Sequence, residues 1–223
     1  MMTPLALSLS GPTAASSDGI PLAVDFDGTI CLADTLAWLR SRAALSGEHT
    51  EQRRIGQRTV SKQAEKVFLW EEVGLDLDDL PLDDDLLVAL SDARNAGRRL
   101  VLVTGSAQGL ADAVADRLQM FDDALGTSRA VNLTGPRKAA ALINRFGERR
   151  YDYLGDSAAD LPVWASARQG YLVWRPSTAH FQVPGNVVRI DSERPVQPPP
   201  EGDGFWVGDD YSGWAPERDV SEP

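Results

Sequence analysis

Cysteine and histidine are nearly missing from this 223-residue chain: Cys31 is the one cysteine, and His49 and His180 are the two histidines. A single thiol forms no internal disulfide and no cysteine-based zinc site. Two imidazoles leave few ways to build a serine–histidine hydrolase, so the chemistry falls to carboxylates. Basic side chains are also in deficit, with 22 Lys+Arg against 33 Asp+Glu and a net charge of −11. Phosphate backbones and anionic membrane surfaces call for clustered Lys and Arg, so a nucleic-acid partner and a basic membrane-surface helix are both excluded. No apolar run approaches the ~20 residues of a membrane span. Residues 1–19 read as a flexible leader: Leu5-Ala6-Leu7 is too short for a signal segment, and no Lys or Arg precedes it. The cysteine content points to the reducing cytoplasm. With 43 % hydrophobic and 25 % charged residues, the remainder has the composition of a globular protein.

Short apolar runs ending in polar, glycine-containing turns suit buried parallel strands. Pro21–Phe26 and Leu100–Thr104 are the strongest, with Tyr151–Leu154, Tyr171–Trp174 and Val187–Ile190 behind them. Helical spacing appears between them: Leu86, Leu87, Leu90 and Ala93, capped by Asp83 or Asp84 and stopped by Gly97; Leu110, Val114 and Leu118; Ala139–Phe146; and Leu161–Ala167. This alternation predicts an α/β fold, a parallel sheet with helices on both faces. Residues 45–80 are too long for one crossover and read as a helical insert. Asp76–Asp85 holds six Asp in ten positions and reads as a solvated linker with helix-capping acids, since its spacing matches no EF-hand. Residues 192–223 form an acidic, Pro-rich tail with 8 acidic and 2 basic residues. Its Phe205-Trp206 and Tyr211-Ser212-Gly213-Trp214 offer a docking point for a protein partner or for the protein's own surface.

The candidate chemistry begins at Asp25-Phe26-Asp27-Gly28-Thr29. Two carboxylates two positions apart leave the end of an apolar strand and enter a glycine turn. Extended backbone would send both to the same side, and ligands of open α/β sheets bind beyond the carboxyl ends of the strands. Further along come Thr104-Gly105 at the end of the second strong strand, Lys138 at a helix start, and the acid pair Asp156 and Asp160 in Gly155-Asp156-Ser157-Ala158-Ala159-Asp160.

That ordered set resembles the haloacid dehalogenase (HAD) superfamily, over about residues 20–190. The resemblance implies a three-layer Rossmann-like core from 20–44 and 81–191 and a small helical cap, 45–80, between the first two motifs. It also implies Mg²⁺ held by Asp25, Asp156 and the main-chain carbonyl of Asp27, and a small phosphorylated metabolite as substrate. Asp25 would be the nucleophile that forms an aspartyl-phosphate, Asp27 the general acid and base, and Lys138 the charge partner. Thr104 and Gly105 would bind phosphoryl oxygens, Gly28 would be a second substrate-binding residue beside Gly105, and Asp160 would support Asp156. The second Asp at 27 marks phosphatases and phosphomutases within the superfamily and removes dehalogenation. Asn132–Lys138, Arg145–Glu148 and Tyr151–Trp164 look like the phosphatase-like domain fused to 4-hydroxybenzoate-type membrane prenyltransferases.

Arg54, Arg58, Lys62 and Lys66 are spaced four apart and would make a basic stripe on a continuous helix. It reads either as a clamp for a second anionic group of the substrate or as a solvated face balanced by Glu51, Glu65, Glu71 and Glu72. The weight falls on the solvated face. Cys31 reads as a small, partly buried turn residue, and Trp38, Trp70 and Trp164 as packing residues. Three functions fit: a phosphomonoesterase, a sugar phosphomutase using the same residues, and a non-catalytic binding or regulatory module of the same fold.

Overall fold

The computed structural model describes residues 19–45, 61–176 and 180–200, together with Leu9. Six parallel strands form one sheet in the order β3-β2-β1-β4-β5-β6: β1 (Leu22–Val24), β2 (Leu100–Ala107), β3 (Asp123–Thr127), β4 (Asp152–Gly155), β5 (Gly170–Trp174) and β6 (Val187–Asp191). In register, Leu22 lies opposite Leu100 on one side and Asp152 on the other. Between the strands run α1 (Thr35–Leu45), α2 (Lys62–Glu72), α3 (Asp84–Asn95), α4 (Gln108–Leu118), α5 (Pro136–Phe146) and α6 (Leu161–Ser166).

The period-2 geometry of the strands explains the layering. Leu22, Val24, Leu100, Leu102, Leu154 and Tyr171 point to one face, against Ala89, Leu90 and Ala93 of α3 and Leu110, Ala111 and Val114 of α4. Ala23, Val101, Val103, Tyr153 and Leu172 point to the other, against Ala139 and Leu142 of α5 and Val163 and Trp164 of α6. Both faces are covered, which is why the central strands read as unbroken apolar runs. A separate small apolar cluster joins α1 and α2 through Leu36, Leu39, Ala43 and Leu69.

Local chemistry sets the helix ends. The Asp83 carboxylate accepts from Leu86 N (3.2 Å) and caps α3, while Asp84 and Asp85 add negative charge to its first turn. Gly97, at φ +89°, ends that helix with its N–H bonded back to Arg94 O (2.8 Å). Strand β3 has no counterpart among the expected strands. It is a half-buried edge strand, Asp-Ala-Leu-Gly-Thr, without an apolar run to announce it. Strand β2 continues through Gly105 to Ala107, past the expected end at Thr104.

Two features concern the expected leader and tail. Leu9 is fully buried in the first cluster, and its carbonyl accepts from the Arg98 guanidinium. The rest of 1–18 lies outside the described residues. Residues 192–200 run along the protein: Ser192 N bonds Trp174 O (2.8 Å), Gln197 N bonds Leu32 O (2.5 Å), and Ser41 Oγ donates to Pro200 O (2.7 Å). The aromatic pairs at 205–206 and 211–214 lie outside the described residues, as do His49, Arg54 and Arg58. Among the described residues no helix is long and apolar enough to cross a membrane.

Arg175, directly after β5, is buried and ties three parts together. Its Nε and Nη2 donate to Gly28 O (3.1 Å) and Thr29 O (2.6 Å), and Nη2 also reaches Asp83 Oδ2 (3.0 Å). Removing one partner of a buried ion pair leaves an uncompensated charge at a cost of about 3–5 kcal/mol. Asp83→Ala should therefore lower unfolding stability by that order in urea titrations. Asp85→Ala, whose side chain is 81 % exposed, should change it by less than about 0.5 kcal/mol.

Candidate active site

Asp25 is the first residue beyond β1, and its N–H still bonds Leu154 O of β4 (2.9 Å), so the sheet itself fixes its position. One carboxylate oxygen, Oδ1, accepts from Phe26 N (2.8 Å). The other accepts from Lys138 Nζ (2.7 Å) and from the Tyr153 hydroxyl (3.2 Å). Gly28 turns the chain away at φ +71°. A Cβ there would lie 2.2 Å from Asp156 Oδ2. Both the left-handed backbone and the close approach demand glycine.

Lys138 projects from the first turn of α5 and is 3 % exposed. Besides Asp25, its ammonium donates to the Tyr153 oxygen (2.8 Å) and Asp160 Oδ1 (3.3 Å). Burial alone would lower its pKa, but the charges of Asp160 and Asp25 outweigh that and raise it, so Lys138 is a fixed cation. Tyr153, on β4, also donates to Asp160 Oδ1 (2.6 Å). Burial, then the neighbouring carboxylates, push its pKa well above the usual 10, so the phenol stays neutral.

The turn after β4 supplies the second acid pair. Asp156 Oδ1 accepts from Thr29 Oγ1 (3.2 Å). Asp160 Oδ2 accepts from the main-chain N–H groups of Asp156 (3.3 Å) and Ser157 (3.4 Å). Asp160 thus shapes the turn with one oxygen and faces Lys138 and Tyr153 with the other.

Asp27 faces another way from Asp25. Its Oδ1 accepts from Thr35 N at the start of α1 (2.8 Å), and its Oδ2 accepts from Ser106 Oγ (2.6 Å) and Thr104 Oγ1 (3.4 Å). Thr104 also accepts from Ser106 N (3.0 Å), so its hydroxyl orients Asp27 and the β2 end together. Gly105 follows, with its carbonyl taken by Thr127 Oγ1 (2.6 Å) and Lys66 Nζ (2.7 Å). Asp25, Asp156, Asp160 and Lys138 therefore meet in one buried group, while Asp27, Thr104 and Gly105 gather beside it.

Sequence reasoning passed over Tyr153, Ser106, Thr35 and Arg175. Ser106 is adjacent to Thr104-Gly105 and could have been found there. Tyr153 is indistinguishable from a core residue until the sheet is built. Lys66 departs from the solvated face favoured for the basic stripe: it is buried while Lys62 is exposed, and Glu65 and Glu71 pair with Arg40 and Arg129 instead. Cys31 is buried, which drives its thiol pKa far up and leaves it inert. Trp38 and Trp164 lie in the core.

One carboxylate oxygen from each of Asp25, Asp156 and Asp160 lies within 4.8 Å of the others, all three residues buried. Three carboxylates around one ammonium carry −3 + 1 = −2, a surplus that a divalent cation would cancel. Without one, Asp25 is pushed up to about 7, chiefly by burial and further by Asp160, against the pull of Lys138. Asp156 is raised well above the usual carboxylate range, first by burial and then by Asp160 and Asp25. An oxygen-only donor set of this charge fits a hard cation such as Mg²⁺.

No protein-family model matches the chain. An uncharacterized protein, y4nM of Sinorhizobium fredii (strain NBRC 101917 / NGR234), is 35 % identical over 154 residues, which cover 69 % of this chain and 30 % of that one. The chain thus spans under a third of the curated relative it matches. Among solved structures, a HAD family hydrolase from Salmonella enterica serovar Typhi aligns with a TM-score of 0.51 at 17 % identity, covering 71 % of this chain and 65 % of that one. A protein of unknown function from Bordetella pertussis Tohama I aligns with a TM-score of 0.52 at 13 % identity, covering 69 % and 89 %. These likenesses are of fold: the six-stranded parallel sheet with flanking helices is the Rossmann-like arrangement of HAD hydrolases.

The raised carboxyl of Asp25 has a consequence for stability. Between its ordinary 3.8 and about 7, the folded metal-free protein keeps a proton that the unfolded chain has released. Its contribution to stability therefore falls as pH rises through that window and levels off above it. Asp25→Asn has no such proton to lose. In EDTA, the melting temperature of Asp25→Asn minus that of the wild type should grow from pH 5 to pH 8. A difference independent of pH would contradict the assignment.

Proposed function

We propose that this protein is a Mg²⁺-dependent phosphomonoester hydrolase acting through an aspartyl-phosphate at Asp25. The observation that carries the reading is the Asp25 carboxylate fixed at the end of a central strand, 2.7 Å from a buried lysine and beside two further buried acids. Asp25, Asp156 and the main-chain carbonyl of Asp27 would hold the metal, whose bound charge would draw the phosphate dianion toward an anionic nucleophile.

In this reading, Asp25 attacks phosphorus with the oxygen that is not committed to Lys138. The bond from phosphorus to the leaving oxygen breaks, and Asp27 delivers a proton to that oxygen. Water then attacks the acyl phosphate, Asp27 takes the water's proton, and phosphate leaves with Asp25 restored. Lys138 keeps the Asp25 carboxylate oriented and offsets charge that grows on the phosphoryl oxygens. The hydroxyls of Thr104 and Ser106 and the N–H of Thr35 aim Asp27. Asp160 holds the Asp156 turn, and the N–H of Gly105 receives a phosphoryl oxygen. Residues 20–44 and 81–191 carry this chemistry, 45–80 act as the cap, and 192–223 form the tail. The substrate is a small phosphorylated metabolite.

Phosphate release from p-nitrophenyl phosphate with Mg²⁺ tests the proposal. Asp25→Asn should lose at least about 10³-fold in kcat, because the covalent route is closed. Equal rates in wild type and variant would refute it. Millimolar Mg²⁺ should raise the melting temperature of the wild type by relieving the surplus of negative charge, and an unchanged melting temperature would refute the metal assignment.

A further inference from the structure

Three cations are buried among the described residues: Lys66, Lys138 and Arg175. Lys138 faces Asp25 and Asp160, and Arg175 faces Asp83. Lys66, carried by α2 and 7 % exposed, is different. An ammonium has three N–H donors. One goes to the main-chain carbonyl of Gly105 (2.7 Å) and one to Asn132 Oδ1 (3.1 Å). Both acceptors are neutral. Among the described residues no carboxylate makes an ion pair with Lys66, although Asp27 and Asp34 lie near enough for their charges to act on it.

A buried charge without a counter-ion is costly, and proteins rarely keep one unless something else compensates it. The surroundings are prepared for this lysine. Thr127 Oγ1, at the end of β3, donates to the same Gly105 carbonyl (2.6 Å) and to Asn132 Oδ1 (3.4 Å), fixing one acceptor in the last part of β2 and the other in the loop after β3. Gly105 precedes Ser106, whose hydroxyl bonds Asp27 (2.6 Å). The lysine thus stands against Gly105 near the end of β2, close enough to Asp27 and Lys138 for their charges to act on it, with one donor uncommitted.

We propose that Lys66 is the counter-charge for an oxyanion of the substrate, which it binds against the Gly105–Asn132 edge of the site. The identity of that ligand rests on the hydrolase reading above. The oxyanion is either the transferring phosphoryl group or a second carboxylate or phosphate on the same molecule. Lys66 is then a specificity-determining residue that reaches the site from α2, and Lys62, one turn earlier and exposed, has no such part.

Isothermal titration of the full chain with Mg²⁺ tests this, using inorganic phosphate and the non-hydrolysable phosphonoacetate. Lys66→Met should weaken at least one of them about tenfold or more, the loss expected for one charge-assisted hydrogen bond. Lys66→Arg should stay within about threefold, because it keeps the charge. Weakening of both ligands assigns the phosphoryl group, and weakening of phosphonoacetate alone assigns a second anion. If Lys66→Met does not fold, Lys66→Gln, which keeps a polar donor for Gly105, takes its place. Equal dissociation constants for both ligands in the wild type and the neutral variant would overturn the proposal, as would the absence of wild-type binding at about 50 mM of either. If Lys66-dependent binding persists while no phosphate is released from p-nitrophenyl phosphate, the hydrolase reading fails and the subsite stands.

Discussion

The buried ammonium of Lys138 is the interaction on which the rest of the site depends. It gathers Asp25, Tyr153 and Asp160, all buried, around one point. Without it, the three buried carboxylates would repel one another, and the carboxyls of Asp25 and Asp156 would be driven still further toward the protonated form. With it, the group is held together yet still carries a surplus of negative charge. That surplus is the physical reason the site suits a divalent cation, whose charge would in turn let an anionic ligand approach. The arrangement stores an electrostatic deficit where binding can relieve it, a familiar cost of function to stability.

The sheet supplies the precision. Asp25 follows β1, Thr104 and Gly105 belong to β2, Tyr153 to β4, and Asp156 follows β4, so neighbouring strands deliver their residues to one end. The turn at Gly28 brings its backbone against Asp156. Behind it, Arg175 clasps the carbonyls of Gly28 and Thr29 and joins them to Asp83, the cap of α3. Arg194 and Ser192 reach that same aspartate from the extended segment after β6. The loop that carries Asp25 and Asp27 is thus braced from the far side by an ionic network that takes no part in the chemistry.

Much of this was legible in the sequence, for reasons that can be named. Doubly covered parallel strands must be apolar throughout, so Leu22–Val24 and Leu100–Val103 declared themselves, and the polar residues just after them had to lie at strand ends. Edge strand β3 lacks that constraint and left no pattern. The group around Lys138 could be anticipated as residue types in order, but not as contacts. Tyr153 packs its ring in the core while its hydroxyl meets Lys138 and Asp160, a double part that an apolar strand pattern does not reveal. Arg175 carries no local signal, because its partners lie at Gly28, Thr29 and Asp83. Lys66 shows the limit of periodicity. Spacing of four gives a stripe, but Lys62 opens the helix and stays exposed, while Lys66 is buried beside Val67 and Leu69.

The proposed hydrolysis turns on covalent phosphorylation of the carboxylate beside Lys138. Its most direct test is to quench turnover of a phosphomonoester in Mg²⁺, reduce the trapped acyl phosphate with borohydride and locate the reduced residue by peptide mass spectrometry. Reduction should appear at residue 25, and at no other carboxylate, in proportion to the enzyme in turnover. Sustained phosphate release with no reduced residue, or with reduction at Asp27, Asp156 or Asp160 instead, would contradict it.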